Sequence, residues 1–400
     1  MISDLRITSI EATPVTVPMK APLRWSMGVE TGTTRCVIQV HTEAGITGIG
    51  ETYGGSSTVR AVKFLEQRFR GIDCWSVDRM ARIAQAFRIA YETFIPAHVY
   101  AGIEMAVWDI LGKSTGQSVA SLLGGTFRQH IPVSAYLFYR YVGEDGIGGE
   151  DTPAAMADRA EALVEEHGFR VVKFKGGVHA PEEELATLRA LRQRLPHVKL
   201  RYDPNAAWSV ETAITILPQM AEVGLEYAED PTDLIEGMSR LRAAVAVPLA
   251  TNMCVTRFSD IPLGFRMGAV DIILSDVHFW GGLAQCRKLA GVAETLQLGL
   301  GMHSDRELGI STAAMVQFAA ATPTLMYAID SHYHDQVDDI ITTPWTYVHG
   351  GFRLPPGPGL GVEVDWDKVR HYHQCFLQDG EVNEFFDSHR PDWIPILPLY

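Results

Sequence analysis

Two lysines one residue apart, Lys173 and Lys175, interrupt the apolar stretch VVKFKGG at 171–177. Side chains alternate faces along a strand, so both ammonium groups project one way while Val172 and Phe174 project the other. Two adjacent like charges are costly in a core. Either the strand is an edge that uses lysine to discourage pairing, or the lysines serve a site. The downstream chain favours the site. Polar residues of functional type recur after Lys175 at Asp203, Glu229, Asn252, Asp276, His303 and Asp330, at spacings of 28, 26, 23, 24, 27 and 27 residues. A strand, a helix and two loops take roughly 30 residues in a parallel barrel, so these side chains form a ring around one mouth. Turn and capping preferences explain a single Asp at a strand end, as in Asp203-Pro204, but they call for neither lysine nor histidine. A closed barrel also has no edge strand to protect.

The chemistry follows from the donor types. Asp203, Glu229 and Asn252 close three consecutive strands, offer only oxygen and have no thiol close in register. Such a set suits Mg²⁺, which takes oxygen ligands and keeps positions open for a substrate. The two lysines and a His303–Asp276 pair flank the oxygen set. Lysine or histidine bases beside a Mg²⁺ that stabilises an ene-diolate remove a proton next to a carboxylate. That proton is so weakly acidic that its removal requires neutralisation of the developing dianion.

The elements that must position this ring can be read from the pattern. DLRITSIEATPVTVPM and TTRCVIQVHTEAGITGIGETY alternate like antiparallel strands, the second turning at Glu43-Ala44-Gly45. Helical periodicity follows over 58–70, 76–90 and 97–112, the last apolar nearly all round and therefore buried. After SLLGG (121–125), short apolar strands alternate with amphipathic helices: 133–139, 171–175, 198–203, 225–230, 247–252, 270–276, 298–304 and 325–330. Eight strands separated by helices predict a parallel (β/α)8-type barrel, with a doubly wound open sheet as the alternative. GIGETYGG lacks the GxGxxG spacing and lies in the hairpin region, so a dinucleotide loop is discounted.

The 400 residues carry a net charge of −14, which argues against nucleic-acid partners. Five scattered cysteines without a CxxC pair predict free thiols. The start lacks a signal-peptide layout and no apolar run spans a bilayer, so a cytoplasmic protein that does not engage membranes is expected.

The motifs VKFKGGVHAPEEE, YDPNAAW, YAEDP, ATNM, SDVHFWGG, GMHS and AIDSHY, running from about 169 to 334, resemble those of the enolase superfamily, and within it the glucarate dehydratase branch. GIGETYGG and GIEMAVWDILG are similar to the cap domain of that family, so the likeness spans nearly the whole chain. The resemblance implies a modified (β/α)7β barrel (126–350) under an N-terminal α+β capping domain (1–125), with a C-terminal segment (351–400) returning to the cap. It also implies Mg²⁺ held by Asp203, Glu229 and Asn252. Lys175 would be the base on one face of the substrate α-carbon, with Lys173 on the substrate carboxylate. His303, oriented by Asp276, would be the acid/base on the other face. Asn205 and Asp330 would hydrogen-bond the reacting carboxylate end, and Tyr136 and His332 the substrate hydroxyls.

The chain departs from the family pattern at two places. Ser304-Asp305-Arg306-Glu307 stands where the family has SNNH, so Asp305 replaces a substrate-binding asparagine and repels a carboxylate unless Arg306 pairs with it. The cap loop PLRWSMGVETG (22–32) carries Trp25 and Val29 but no histidine. FFDSHRP resembles the family ending and offers Arg390 to the distal end of the substrate.

The expected activity is therefore dehydration of a small-molecule acid sugar, D-glucarate first, to a 2-keto-3-deoxy product, with further copies of the chain as a homo-oligomeric partner. A racemase, epimerase or cycloisomerase would share the same ene-diolate step. A Schiff-base aldolase needs no Asp/Glu/Asn set. A zinc site at His332-x-His334 fits the surrounding oxygen donors poorly.

Overall fold

Strand β1 (Ile7–Trp25) reverses into β2 (Gly28–Thr42), and β2 turns through residues 43–46 into β3 (Thr47–Tyr53), giving a three-stranded antiparallel sheet. The turn lies at the predicted Glu43-Ala44-Gly45, with Gly45 in the left-handed region at φ 74°. These assignments come from a computed structural model that describes residues 4–90 and 96–400. Helices α1 (Ser56–Phe69), α2 (Val77–Ala90) and α3 (Ala97–Thr115) follow close to the predicted limits. As its all-round apolarity predicted, α3 is buried at almost every position from Val99 to Gly112. GIGE in β3 owes its glycines to this packing. A Cβ at Gly48 would lie 2.0 Å from the Ala106 carbonyl oxygen of α3, and one at Gly50 would lie 2.0 Å from that of Gly102.

After the short α4 (Val119–Leu122), eight parallel strands alternate with seven helices. The strands are β4 (His130–Arg140), β5 (Val171–Lys175), β6 (Lys199–Asp203), β7 (Leu225–Glu229), β8 (Leu249–Thr251), β9 (Ile272–Ser275), β10 (Gly299–Met302) and β11 (Ile329–Ser331). The helices are α5 (Pro153–His167), α6 (Pro181–Arg194), α7 (Val210–Ala221), α8 (Ile235–Arg242), α9 (Ile261–Met267), α10 (Leu283–Thr295) and α11 (Gly309–Ala321). Pairing runs in sequence order from β4 to β10. β11 pairs with β4, and a bridge from Leu300 to Leu325 joins β10 to the approach of β11, closing the ring. Closure makes this a (β/α)7β barrel and removes the open doubly wound alternative.

The cap and barrel are joined by strand pairing and by buried polar bonds. Leu23 and Arg24 of β1 pair with Arg140 and Tyr139 of β4. α11 is buried at all of its positions because it lies between the barrel and α4 and β3 of the cap. Its Gln317 accepts the Ala120 amide at 2.8 Å and donates to the Leu360 carbonyl at 3.0 Å, so the one long polar side chain in this apolar helix is satisfied.

β12 (Gly351–Arg353) pairs with the start of β4, and α12 (Trp366–Asp379) packs on β1. The chain beyond α12 crosses the cap loop, where the Val29 amide donates to the Phe386 carbonyl at 3.1 Å. It then reaches the barrel, where the Leu399 amide donates to the Ala207 carbonyl at 2.7 Å. Among the described residues no helix is long and apolar enough to cross a membrane. All five cysteines are free.

Candidate active site

Lys175, the last residue of β5, is held in place by the turn that follows it. The Glu184 carboxylate in the first turn of α6 accepts the amides of Gly177, Val178 and His179 at 2.9–3.0 Å and the Tyr202 hydroxyl. The Lys175 Nζ donates to Asp203 Oδ2 at 2.9 Å and Asn205 Oδ1 at 2.8 Å. Asn205 and Ala206 take the left-handed backbone at φ 54° and 57°, a mild strain typical of functional loops. Lys175, Asn205, Asn252, His303 and Tyr136 all line one cavity of about 430 Å³ at the strand ends.

Two expected contacts lie below this floor. Lys173 is fully buried two residues earlier in β5 and does not line the cavity. Its ammonium is 2.6 Å from Glu229 Oε2, 2.8 Å from Asp330 Oδ2 and 3.2 Å from Asp203 Oδ2, and 4.5 Å from the centre of the Tyr136 ring. Burial disfavours its charge, but Asp330 and Glu229 outweigh burial and hold its pKa well above the ordinary lysine value. Asp330 is likewise sealed in, accepting from Ser134 Oγ at 2.6 Å and pairing with Arg201 at 3.3 Å. Register explains the depth: Asp330 aligns with Ser134 on β4, four residues before Phe138, the partner of Lys175. Asp330 therefore braces Lys173 instead of facing the cavity.

The oxygen set passes a simple test for a hard cation. Glu229 is fully buried; its Oε1 has no partner, and its Oε2 meets only the Lys173 ammonium at 2.6 Å. Burial first, then the neighbouring Asp203 and Asp330, push its pKa up to about 8 against the pull of Lys173. Asp203 goes the other way: Lys175 and Lys173 overcome burial and hold it well below the carboxylate range. Next to Asn252, Asp230 accepts the Asn252 amide at 2.8 Å and the Thr251 hydroxyl at 2.5 Å, which fixes the end of β8. A divalent ion at Asp203, Glu229 and Asn252 would give Glu229 Oε1 the partner it lacks.

His303 follows β10, three strands from Lys175 around the ring through β11 and β4. Its Nδ1 lies 2.8 Å from Asp276 Oδ2, and its ring stacks on Phe279 with centroids 5.4 Å apart. Asp276 Oδ1 accepts the His278 and Phe279 amides at 2.6 and 3.0 Å. Burial opposes the charge on His303, yet the Asp276 bond and its charge prevail and raise the pKa. Asp276 is driven strongly down despite burial by His278 and His303.

The other sequence-derived candidates divide. Tyr136 lines the cavity, but its hydroxyl donates to Asp203 Oδ2 at 3.0 Å. His332 also lines it, with Nδ1 3.1 Å from Ser304 Oγ and its ring against Tyr136 and Phe138; burial holds it neutral, well below the usual histidine range. His334 is not a metal partner of His332, since its Nε2 lies 3.0 Å from the Tyr136 carbonyl oxygen. Asp305 lines the cavity and is paired with Arg306 at 2.8 Å. Arg390 does not reach the cavity: its Nε binds Asp387 at 2.7 Å and its guanidinium lies 4.2 Å over Trp393. Glu30 and Glu384 line the cavity without having been singled out in the sequence. They come from the cap and the C-terminal segment, and no spacing rule connects them to the barrel beat.

A further pair ties the cap to the His303 loop. Buried Glu51 of β3 binds Arg35 at 2.7 Å and accepts the amides of Leu308 and Ser311 at 3.0 and 2.9 Å, capping α11. Arg35 reaches Ser311 Oγ and His278 Nε2 at 3.1 Å, and Thr33 donates to the Arg306 carbonyl at 3.2 Å.

Comparisons with known proteins agree with this architecture. Residues 7–124 match the mandelate racemase/muconate lactonizing enzyme N-terminal domain, and residues 155–368 match the enolase C-terminal domain-like family. The chain is 38% identical to "Probable glucarate dehydratase" of Streptomyces coelicolor, covering 100% of each. It is 27% identical to muconate cycloisomerase 1 of Rhodococcus opacus, over 92% of this chain and 99% of that one. An enolase from Thermobispora bispora, crystallised with magnesium and formate, superimposes with a TM-score of 0.92 at 35% identity, over 99% of this chain and 100% of that one. With both of its domains matched and its strand-end ring of lysine, carboxylate and histidine on a (β/α)7β barrel, the chain belongs to the enolase superfamily, in its mandelate racemase/muconate lactonizing enzyme group.

Proposed function

We propose that this enzyme is a Mg²⁺-dependent acid-sugar dehydratase. The observation that carries the reading is that Lys175 and His303, from strands three apart, line one cavity whose wall also holds Asn252. Asp203, Glu229 and Asn252 would hold the ion, which when bound supplies positive charge to the substrate carboxylate. Lys175 takes the α-proton of one configuration and His303 that of the other. The C–H electron pair moves into the carboxylate to form an ene-diolate, then returns to expel the β-hydroxyl, which leaves as water after receiving a proton. The resulting enol becomes the 2-keto-3-deoxy acid. Asp276 keeps Nδ1 of His303 protonated, so that Nε2 is the atom that exchanges protons. Lys173, clamped by Asp330, offsets the negative charge beneath the reacting end.

A panel of mono- and diacid sugars with Mg²⁺, scored for keto product, tests the proposal. Absence of both keto product and solvent deuterium exchange across the panel would refute it. A second reading, an epimerase or cycloisomerase, is favoured by the same two-sided acid/base pair and by the likeness to muconate cycloisomerase. Recovered epimer or lactone in place of keto acid would select it.

A further inference from the structure

A second group of charges lines the same cavity above the strand ends. Glu30 comes from β2, Asp305 and Arg306 from the loop after His303, and Glu384 from the C-terminal segment. Oxygens of the three acids lie within 4.8 Å of one another. The Arg306 guanidinium is the cation among them: Nη2 is 2.8 Å from Asp305 Oδ1 and pairs with Glu384, and Nε is 3.5 Å from Glu30 Oε2.

This arrangement leaves one guanidinium facing three carboxyl groups. Burial, and then Asp305 and Glu384 acting against Arg306, push Glu30 up to about 8, and burial raises Glu384 as well. Glu30 is 5% exposed, and its Oε2 accepts no hydrogen bond. A buried carboxyl oxygen lining a cavity requires an O–H or N–H donor. Against burial, Arg306 holds Asp305 below the ordinary carboxylate range. The raised values of Glu30 and Glu384 mark a space that already resists further negative charge. A substrate carboxylate here would therefore be poorly compensated and would compete for an arginine already engaged. Arg390, the other candidate for a distal carboxylate, is bound to Asp387 outside the cavity.

We infer, building on the dehydratase reading, that the substrate is a monocarboxylic sugar acid whose remote end presents a hydroxyl group to Glu30, Asp305 and Glu384, and that these three residues reject diacid sugars. D-glucarate, a diacid, falls in the rejected class.

The test pairs six-carbon aldonates with aldarates of the same configuration at carbons 2 to 5. Binding to the full chain with Mg²⁺ is measured by calorimetry, and turnover is followed separately by keto product and deuterium exchange. The favoured aldonate should bind at least about tenfold tighter than its matched aldarate, the effect of one unfavourable charge contact. Glu30→Gln and Glu384→Gln should each narrow that gap by weakening aldonate binding and giving the aldarate carboxylate a fixed amide donor. Aldarates binding as tightly as aldonates throughout the panel would overturn the inference, as would folded Gln variants with an unchanged gap. If either variant fails to fold, the wild-type pairs decide. Tighter aldonate binding without keto product or exchange would refute the dehydratase reading and leave the distal-end assignment standing.

Discussion

Replacing Asp276 by asparagine tests how His303 is aimed. The variant side chain keeps one oxygen for the His278 and Phe279 amides, now 2.6 and 3.0 Å from Asp276, and turns an NH₂ toward His303 Nδ1. The charge-assisted bond across 2.8 Å is lost. Its removal alone is worth about 1.5–3 kcal/mol, or roughly 10–150-fold in rate. The amide also favours the opposite tautomer, with Nε2 protonated and unable to accept the substrate proton, so the total loss is on the order of 10²–10⁴-fold. The assay is solvent deuterium exchange into each of two C2 epimers. Exchange from the His303 face should fall by that factor, while exchange from the Lys175 face falls less than about threefold, within the spread of one small perturbation. Equal loss on both faces, or none, would refute the assigned geometry.

The same substitution carries a pH signature. His303 has a raised pKa, so its contribution to stability is full below the unfolded value near ~6.5 and is lost as pH rises through the folded value. Asp276 has a depressed pKa, so its contribution is full above ~3.9 and is lost as pH falls toward the folded value. The pair stabilises most between those limits. The stability penalty of Asp276→Asn, measured by urea titration, should therefore be larger near pH 5 than well above the raised His303 value.

Other outcomes follow from contacts already described. Lys175→Ala should abolish exchange from its own face and leave the His303 face active, as read by the same epimer assay. Lys173→Ala should impair both faces, because the charge it balances at Asp203, Glu229 and Asp330 serves either epimer. Chelation should remove activity and Mg²⁺ should restore it. By metal-binding calorimetry, Asp203→Ala and Glu229→Ala should lose more affinity than Asn252→Ala, which removes no charge. Glu51→Ala strands buried Arg35 and uncaps α11, so it should cost about 3–5 kcal/mol in denaturant titration.

What could be read from the chain was what repeats. The polar residues ending successive strands share one barrel period, and that period alone brought Lys175, Asn252 and His303 to one cavity. Depth within the barrel was not legible. Lys173 and Asp330 belong to the same motifs, but a residue pair of rise along a strand, about 6.6 Å, separates a cavity wall from a sealed interior. Direction was equally hidden for Arg390, whose motif fixed its neighbourhood without revealing that Asp387 captures it. Glu30 and Glu384 carry no periodic signal because they lie 354 residues apart in sequence, brought together by the close approach of the cap loop and the C-terminal segment. At Gly28 a Cβ would lie 2.1 Å from the Glu384 carbonyl oxygen, so that crossing tolerates no side chain.

The Glu51 bonds bear on how such enzymes can be recombined. A carboxylate from the cap ends a helix of the barrel, and the helix it ends begins just after the loop that carries Asp305 and Arg306. A chimera that takes its cap from one relative and its barrel from another would break this cross-module bond unless position 51, Arg35 and the 307–311 segment travel together. The unit of exchange between relatives is therefore defined by a hydrogen-bonded junction, and a cut placed at the sequence border near 125 would divide it.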